Sequence, residues 1–304
     1  MTTALAMRQG EAVSANISIL ATGCNLSTAS SVAEFMHALH SGTDALALVP
    51  TSGWKVPPKP GFEPRAFRWK DRDQNPKETI RSLLTRKLKA SFDEAISNLK
   101  LDARVGVILA STKGFTEDFV WNEGASLQVD PLTPLLDDTI EACGLSPEMK
   151  LCVSNACASS LAALAVAQTW LKADRVDHVI VFACDAIDSF VLHGFQHLRV
   201  LSPDRTRPFS GDRSGFHLGD AAACVILSNK KPSAYRLIDA QIDSEGHAAT
   251  RPSHSGESLL RACRNLKEIA THPPDVVIAH GTSTQANDVT EDRVLSTLFA
   301  AVPK

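Results

Sequence analysis

Residues 151–160, LCVSNACASS, read as the end of an apolar strand turning directly into a helix rich in small residues, with Cys157 at the joint. Working outward, residues 150–153 form the strand and about 158–172 the helix, with Leu161, Leu164, Ala165 and Gln168 on one face. Before it, residues 104–110 (RVGVILA) are continuously apolar, as in a parallel strand covered on both faces, and 130–144 read as a helix. After it, residues 177–183 (DHVIVFA) and 221–227 (AAACVIL) are further strands. Alternating strand and helix predicts a layered α/β protein.

The pattern extends to both ends. Residues 17–21 (ISILA) form a short buried strand ending at Thr22-Gly23, and 31–40 a helix with Val32, Phe35, Met36 and Leu39 on one face, stopped by Gly42. Residues 51–75 are an irregular excursion rich in Pro, Lys, Arg and Asp. Residues 77–100 form a long amphipathic helix lined by Ile80, Leu83, Leu84, Leu88 and Phe92. Further on, 235–242 alternate like a strand, 258–269 are helical, 275–280 (DVVIAH) are a strand and 288–299 the last helix. A strand–helix order runs up to Asn229 and restarts at Tyr235, so the expected division is 1–230 and 231–304. The second round halts at a helix that should feed another strand. A sheet left open there would show apolar edge and face to water. The chain is therefore expected to need a partner, or a longer polypeptide, to finish its core.

A composition of 44% hydrophobic and 21% charged residues with net charge −3 is that of an ordinary globular protein, without the basic excess that nucleic acid demands. No run approaches the ~18 apolar residues that span a bilayer. The start, MTTALAMRQGEAVSAN, lacks the long apolar run of a signal peptide. The cysteines at 24, 143, 152, 157, 184, 224 and 263 contain no CxxC pair, so reduced cytoplasmic thiols are expected rather than a zinc site or disulfide framework.

Three stretches carry residues suited to chemistry. A thiol at a helix N-terminus feels the positive end of the helix dipole, which lowers its pKa, and the nearby N–H groups can hold an oxyanion. From the residues alone Cys157 is either such a nucleophile or a buried structural thiol, and the other six cysteines read as structural. In VVIAHGTSTQAND (276–288) a strand ends in His280, where a histidine can donate a hydrogen bond or shuttle a proton. A lone histidine there also suits a capped turn. Asp288 and Glu291 read as acids of a first helical turn. In RPFSGDRSGFHLGD (207–220) glycines 211, 215 and 219 shape a loop whose spacing is not the phosphate-binding GxGxxG. Asp212, Arg213 and Asp220 are expected to tie that loop near the nucleophile.

In this order the three stretches resemble the β-ketoacyl synthase family of the thiolase-like fold. NACASSLAAL is similar to the family's nucleophile motif, RPFSGDRSGFHLGDAAACVIL to its RPFDxxRDGFxxGEGA stretch, and VIAHGTSTQANDVTE to HGTGTxxxDxxE, with weaker agreement over SILATGCNLSTASSVAEFMHALHSGTDAL. The resemblance implies a thiolase-like layered αβαβα fold, its first half complete and its second truncated. It implies that Cys157 accepts an acyl group and that its backbone N–H forms half of an oxyanion hole. His280 would bind the malonyl thioester or carboxylate and aid decarboxylation, with Asp288 and Glu291 in support. The carbanion left by CO2 loss would then lengthen the chain by two carbons, in fatty-acid or polyketide-type biosynthesis. The implied partners are acyl carrier protein or coenzyme A thioesters and a second ketosynthase-like chain in a homo- or heterodimer. No cofactor, metal, nucleic acid or membrane is implied.

The sequence departs from the pattern in places. The family's second histidine, in a Lys…Gly-His stretch, and its Gly-Phe-Gly-Gly loop do not occur here. Ser283 stands for a glycine of HGTGT and Asp220 for a glutamate of GEGA. Condensation then requires those parts from a second polypeptide or a longer protein. The competing expectations are a non-condensing, chain-length-factor-like subunit and a single-histidine acyltransferase or thioesterase. Arg65, Arg68, Lys70 and Arg72 form a basic cluster that could receive a carrier protein's acidic surface, although a solvated loop is the preferred reading.

Overall fold

The computed structural model describes the backbone of residues 2–9 and, with side chains except at 73, residues 17–51, 54, 57–75, 77–101, 103–120, 130–246, 253–266 and 272–299. In chain order the elements are β1 (Thr2–Gln9), β2 (Ile17–Leu26), α1 (Val32–Ser41), β3 (Leu46–Leu48), β4 (Arg65–Phe67), α2 (Ile80–Ile96) and β5 (Val105–Ala110). Then come α3 (Glu117–Val120), α4 (Thr133–Ala142), β6 (Met149–Val153), α5 (Ser159–Lys172), β7 (His178–Asp185), α6 (Ser189–Leu198), β8 (Leu218–Gly219), β9 (Ala221–Ser228) and β10 (Tyr235–Asp243). Helices α7 (Glu257–Asn265) and α8 (Gln285–Leu298) complete the order.

A seven-stranded sheet runs β1-β10-β2-β9-β7-β5-β6. Strand β5 is parallel to both neighbours, and β9, β2, β10 and β1 add on antiparallel. The continuously apolar strands make sense in this setting, because both faces are covered. Val107, Leu109, Ile180, Phe182, Cys224 and Ile226 turn to one face, against Leu83, Leu84, Leu88 and Phe92 of α2 and Leu135 and Leu136 of α4. Ile108, Ala110, Val179, Val181 and Leu227 turn to the other, against Ala163, Leu164, Ala167 and Leu171 of α5. Each strand thus alternates between two cores.

The ends of α1 follow their capping residues. Ser31 accepts the N–H of Glu34, and Gly42, in the left-handed conformation at φ +64°, closes the C-terminus. The expected apolar face of α1 is only partly covered, and Met36 and Leu39 are exposed. Strand β2 does not end at Thr22-Gly23 but continues to Leu26. Gly23 is the reason: a Cβ there would lie 2.0 Å from the carbonyl oxygen of Ser91, so the missing side chain lets α2 press directly on the strand.

The expected strand at 275–280 is not one. No described strand pairs with it, and Val276 and Ile278 are exposed, Ile278 at 95%. An apolar segment becomes a strand only where a neighbouring strand takes its N–H and C=O groups, and among the described residues no strand does. The expected helix over 258–269 is seen as α7 to Asn265; residues 267–271 lie outside the described ones. Among the described residues no helix is long and apolar enough to cross a membrane.

Candidate active site

Strand β6 ends at Val153, and the chain reverses through Asn155-Ala156-Cys157 before α5 begins at Ser159. Ala156 takes the left-handed conformation at φ +47°, which costs a residue with a Cβ about 1–2 kcal/mol. Ser159, buried, offsets that strain. Its hydroxyl accepts the N–H of Asn155 at 2.8 Å and donates to the carbonyl of Ala156 at 2.7 Å. The backbone N–H groups of Ala158 and Ser159 add bonds to the carbonyls of Asn155 and Ala156, at 3.1 and 3.2 Å. The turn presents Cys157 to the outside; among the seven cysteines it alone is exposed.

Cys157 does not have the lowered pKa expected of a helix N-terminus. Desolvation of the sulfur by the surrounding turn raises it, and the Asp185 carboxylate adds to the rise; the residue's own backbone N–H acts the other way. The geometry explains the reversal. Cys157 lies two residues before α5, outside the N-cap position taken by Ala158, so the dipole acts on it from farther off than in the first turn. The structural reading of the other thiols fits their surroundings. Burial pushes Cys24, Cys152 and Cys263 up to about 11 and Cys143 up to about 12, with Cys184 and Cys224 also raised.

His280 is exposed and is fixed by its main chain. Glu291, buried on α8, accepts the N–H of His280 at 2.6 Å with one oxygen and that of Gly281 at 2.8 Å with the other. Asn287 donates its side-chain amide to the same carboxylate at 3.1 Å. Glu291 lies in the second turn of α8, so its role is not that of a first-turn acid. Asp288 does stand in the first turn, yet its carboxylate reaches across to accept the N–H of Phe209 at 2.7 Å.

The 207–215 loop is therefore joined to the His280 segment rather than to the cysteine turn. Ser283, in the position of the family's glycine, is fully buried at φ +58°. Its hydroxyl accepts the N–H of Arg207 at 3.0 Å and its carbonyl that of Gly215 at 2.8 Å, bonds that offset the left-handed backbone. Arg213 donates to the carbonyl of Ser210 and to Gln285 on α8. Asp212 stays exposed beside Arg207, and Asp220 serves a different place. Its buried carboxylate accepts the N–H groups of Ile187 and Trp69 and pairs with Arg72 at 3.5 Å. Arg72 is thereby turned inward, while Arg65 and Lys70 are exposed, so the four basic residues do not form one patch.

Among the described residues no hydrogen bond joins Cys157 to His280. No group of three or more His, Cys, Asp or Glu suited to hold a metal ion occurs among them either. The sequence reading missed the polar residues behind the cysteine turn: Ser111, Thr112 and Asp185. Their only signal was that each closes an otherwise apolar strand, VGVILA-ST and HVIVFAC-D.

The fold thus sets an exposed thiol on a strained strand-to-helix turn beside a mixed sheet flanked by helices, and carries an exposed histidine on a second segment. The chain belongs to the β-ketoacyl synthase family: residues 14–233 match the model of the β-ketoacyl synthase N-terminal domain and 236–304 that of the C-terminal domain. Over 156 residues it is 33% identical to nodulation protein E of Rhizobium meliloti, a stretch covering 48% of this chain and 39% of that protein. Over 160 residues it is 29% identical to 3-oxoacyl-[acyl-carrier-protein] synthase 2 of Mycobacterium leprae, covering 47% and 38%. The matched stretch thus spans less than half of these relatives' own length.

Solved structures agree on the thiolase-like fold. The ketosynthase from module 6 of the bacillaene synthase of Bacillus subtilis 168 superposes with a TM-score of 0.72 at 19% identity, over 94% of this chain and 54% of that one. The ishigamide ketosynthase/chain length factor gives 0.73 at 19% identity, over 95% and 78%.

Proposed function

We propose that the protein takes part in a β-ketoacyl-[acyl carrier protein] synthase reaction, with Cys157 as acyl acceptor and His280 as the group that binds the malonyl unit. The thiol attacks an acyl thioester of an acyl carrier protein or coenzyme A, and the carrier thiol leaves with the proton. A malonyl thioester then loses CO2. The electron pair of the broken C–C bond forms a carbanion that attacks the acyl–Cys157 carbonyl and expels the cysteine sulfur, which regains a proton. The observation that carries this reading is the exposed thiol on a strained turn closed by Ser159, the arrangement of a nucleophile presented to a ligand.

The family's second histidine and Gly-Phe-Gly-Gly loop are assigned to a partner chain or to a longer form of the protein. Residues 1–230 serve as the half bearing the nucleophile and 231–304 as the beginning of the second half. A dimer with another ketosynthase-like chain suits strand β6, which among the described residues is hydrogen-bonded on one side only and exposes Leu151. A cytoplasmic setting suits seven cysteines without a disulfide.

Intact-mass spectrometry after incubation with acyl-coenzyme A and acyl carrier protein thioesters tests the first step: one acyl adduct, absent from Cys157→Ser, is expected. His280→Ala is expected to keep that adduct and to lower CO2 release from the malonyl thioester, in the presence of the partner chain, by about a hundredfold or more. An adduct followed by hydrolysis, with no condensation in any partner's presence, would instead identify a single-histidine acyltransferase. Absence of any adduct would leave the non-condensing subunit.

A further inference from the structure

Behind the cysteine turn lies a carboxylate that the reaction above does not use. Asp185 closes β7, and the three strands β7, β5 and β6 are neighbours in the sheet. Their C-terminal ends are tied in a row. One oxygen of Asp185 accepts from the hydroxyl of Ser111 at 2.9 Å and from that of Thr112 at 2.7 Å; the N–H of Thr112 reaches the carboxylate at 3.1 Å. Ser111 and Thr112, just past β5, in turn hold the residues around the nucleophile. The carbonyl of Thr112 accepts the hydroxyl of Ser154 at 3.0 Å, and that of Ser111 lies 3.5 Å from the hydroxyl of Ser159. The N–H of Ser111 donates to the carbonyl of Val153 at 3.2 Å. One half-buried carboxylate therefore sets three adjacent strand ends, the last leading into Cys157.

We propose that Asp185 is a positioning residue for Cys157: through Ser111 and Thr112 it fixes the turn that presents the thiol. The proposal rests on Cys157 being the acyl acceptor. The groups facing the pair are few. Lys113 offsets part of the charge on Asp185 while pairing with Asp188, and Glu117 lies beyond Asp188. Cys184 is buried next in the chain. Beside the desolvation of the sulfur, the Asp185 carboxylate also raises the pKa of the thiol, because an anion nearby favours the protonated form.

The test is the rate of Cys157 alkylation by iodoacetamide against pH on the full chain, read at the Cys157 peptide by mass spectrometry. Asp185→Asn keeps the side-chain shape and removes the charge. The midpoint of its profile should fall. Ser154→Ala keeps the charge and cuts one tie. Its midpoint should stay, while the plateau rate changes severalfold as the turn loosens. A folded Asp185→Asn with an unmoved midpoint overturns the proposal. So does a Ser154→Ala whose plateau equals the parent's, and that variant decides the matter if Asp185→Asn does not fold. A cysteine that alkylates with these shifts yet takes no acyl group would refute the acyl-acceptor reading and leave the positioning role standing.

Discussion

The carboxylate of Glu291 accepts the backbone N–H of His280 at 2.6 Å, so the histidine is located by its main chain, and its ring makes no hydrogen bond among the described residues. A ring held in this way can be exposed and still be placed. Glu291→Ala would strand the N–H groups of His280 and Gly281 together. The expected loss is about 2–4 kcal/mol in urea unfolding, and Glu291→Gln, which keeps an acceptor, should lose less.

Ala156 stands at φ +47° beside the nucleophile. Ala156→Gly removes the steric penalty of that conformation but loosens the unfolded chain. A change between neutral and about 1 kcal/mol more stable is expected from unfolding curves. Ala156→Val should cost about 1–3 kcal/mol, because a β-branched residue is strained there.

The cysteines should react in order of access. A short treatment with iodoacetamide followed by peptide mapping is expected to mark Cys157 first and to spare Cys184 and Cys224, which are buried. Early labelling at either buried site would mean that the sheet opens locally.

Arg104 donates to both oxygens of Asp177, at 3.1 and 2.9 Å, and these bonds bring the carboxyl down to about 2 from its ordinary 3.8. A carboxyl that ionises more readily when folded stabilises the fold above the unfolded value and loses that contribution as pH falls through the folded one. Stability should therefore drop between about pH 4 and pH 2. Asp177→Asn should flatten that limb in urea midpoints measured across the range.

Much of the architecture was legible because it is written in short-range signals. The unbroken apolar run of β5 specified a strand covered on both sides, and Ser31 and Gly42 marked the ends of α1. The strand–turn–helix around Cys157 was readable for the same reason, since the residues that make it are neighbours in sequence. Where the reading failed, the deciding partner lay far away. Gly23 looked like the end of a strand until α2, some seventy residues on, showed why no side chain fits there. The apolar period of 276–280 specified a strand but could not supply the neighbour that makes one.

By itself, then, the sequence determined most of the long elements, the joint that carries Cys157 and the family to which the chain belongs. Tertiary structure alone decided the state of that thiol and the setting of His280. A helix N-terminus argued for a lowered pKa, but desolvation by the turn and the charge of Asp185, 28 residues further along the chain, reverse the sign. Asp288 and Glu291 looked alike as acids of one helix, and only the packed loop gives the first to Phe209 and the second to His280 and Gly281. Backbone periodicity acts over a few residues, whereas hydrogen bonds and charge act between whichever groups the fold brings within a few ångströms.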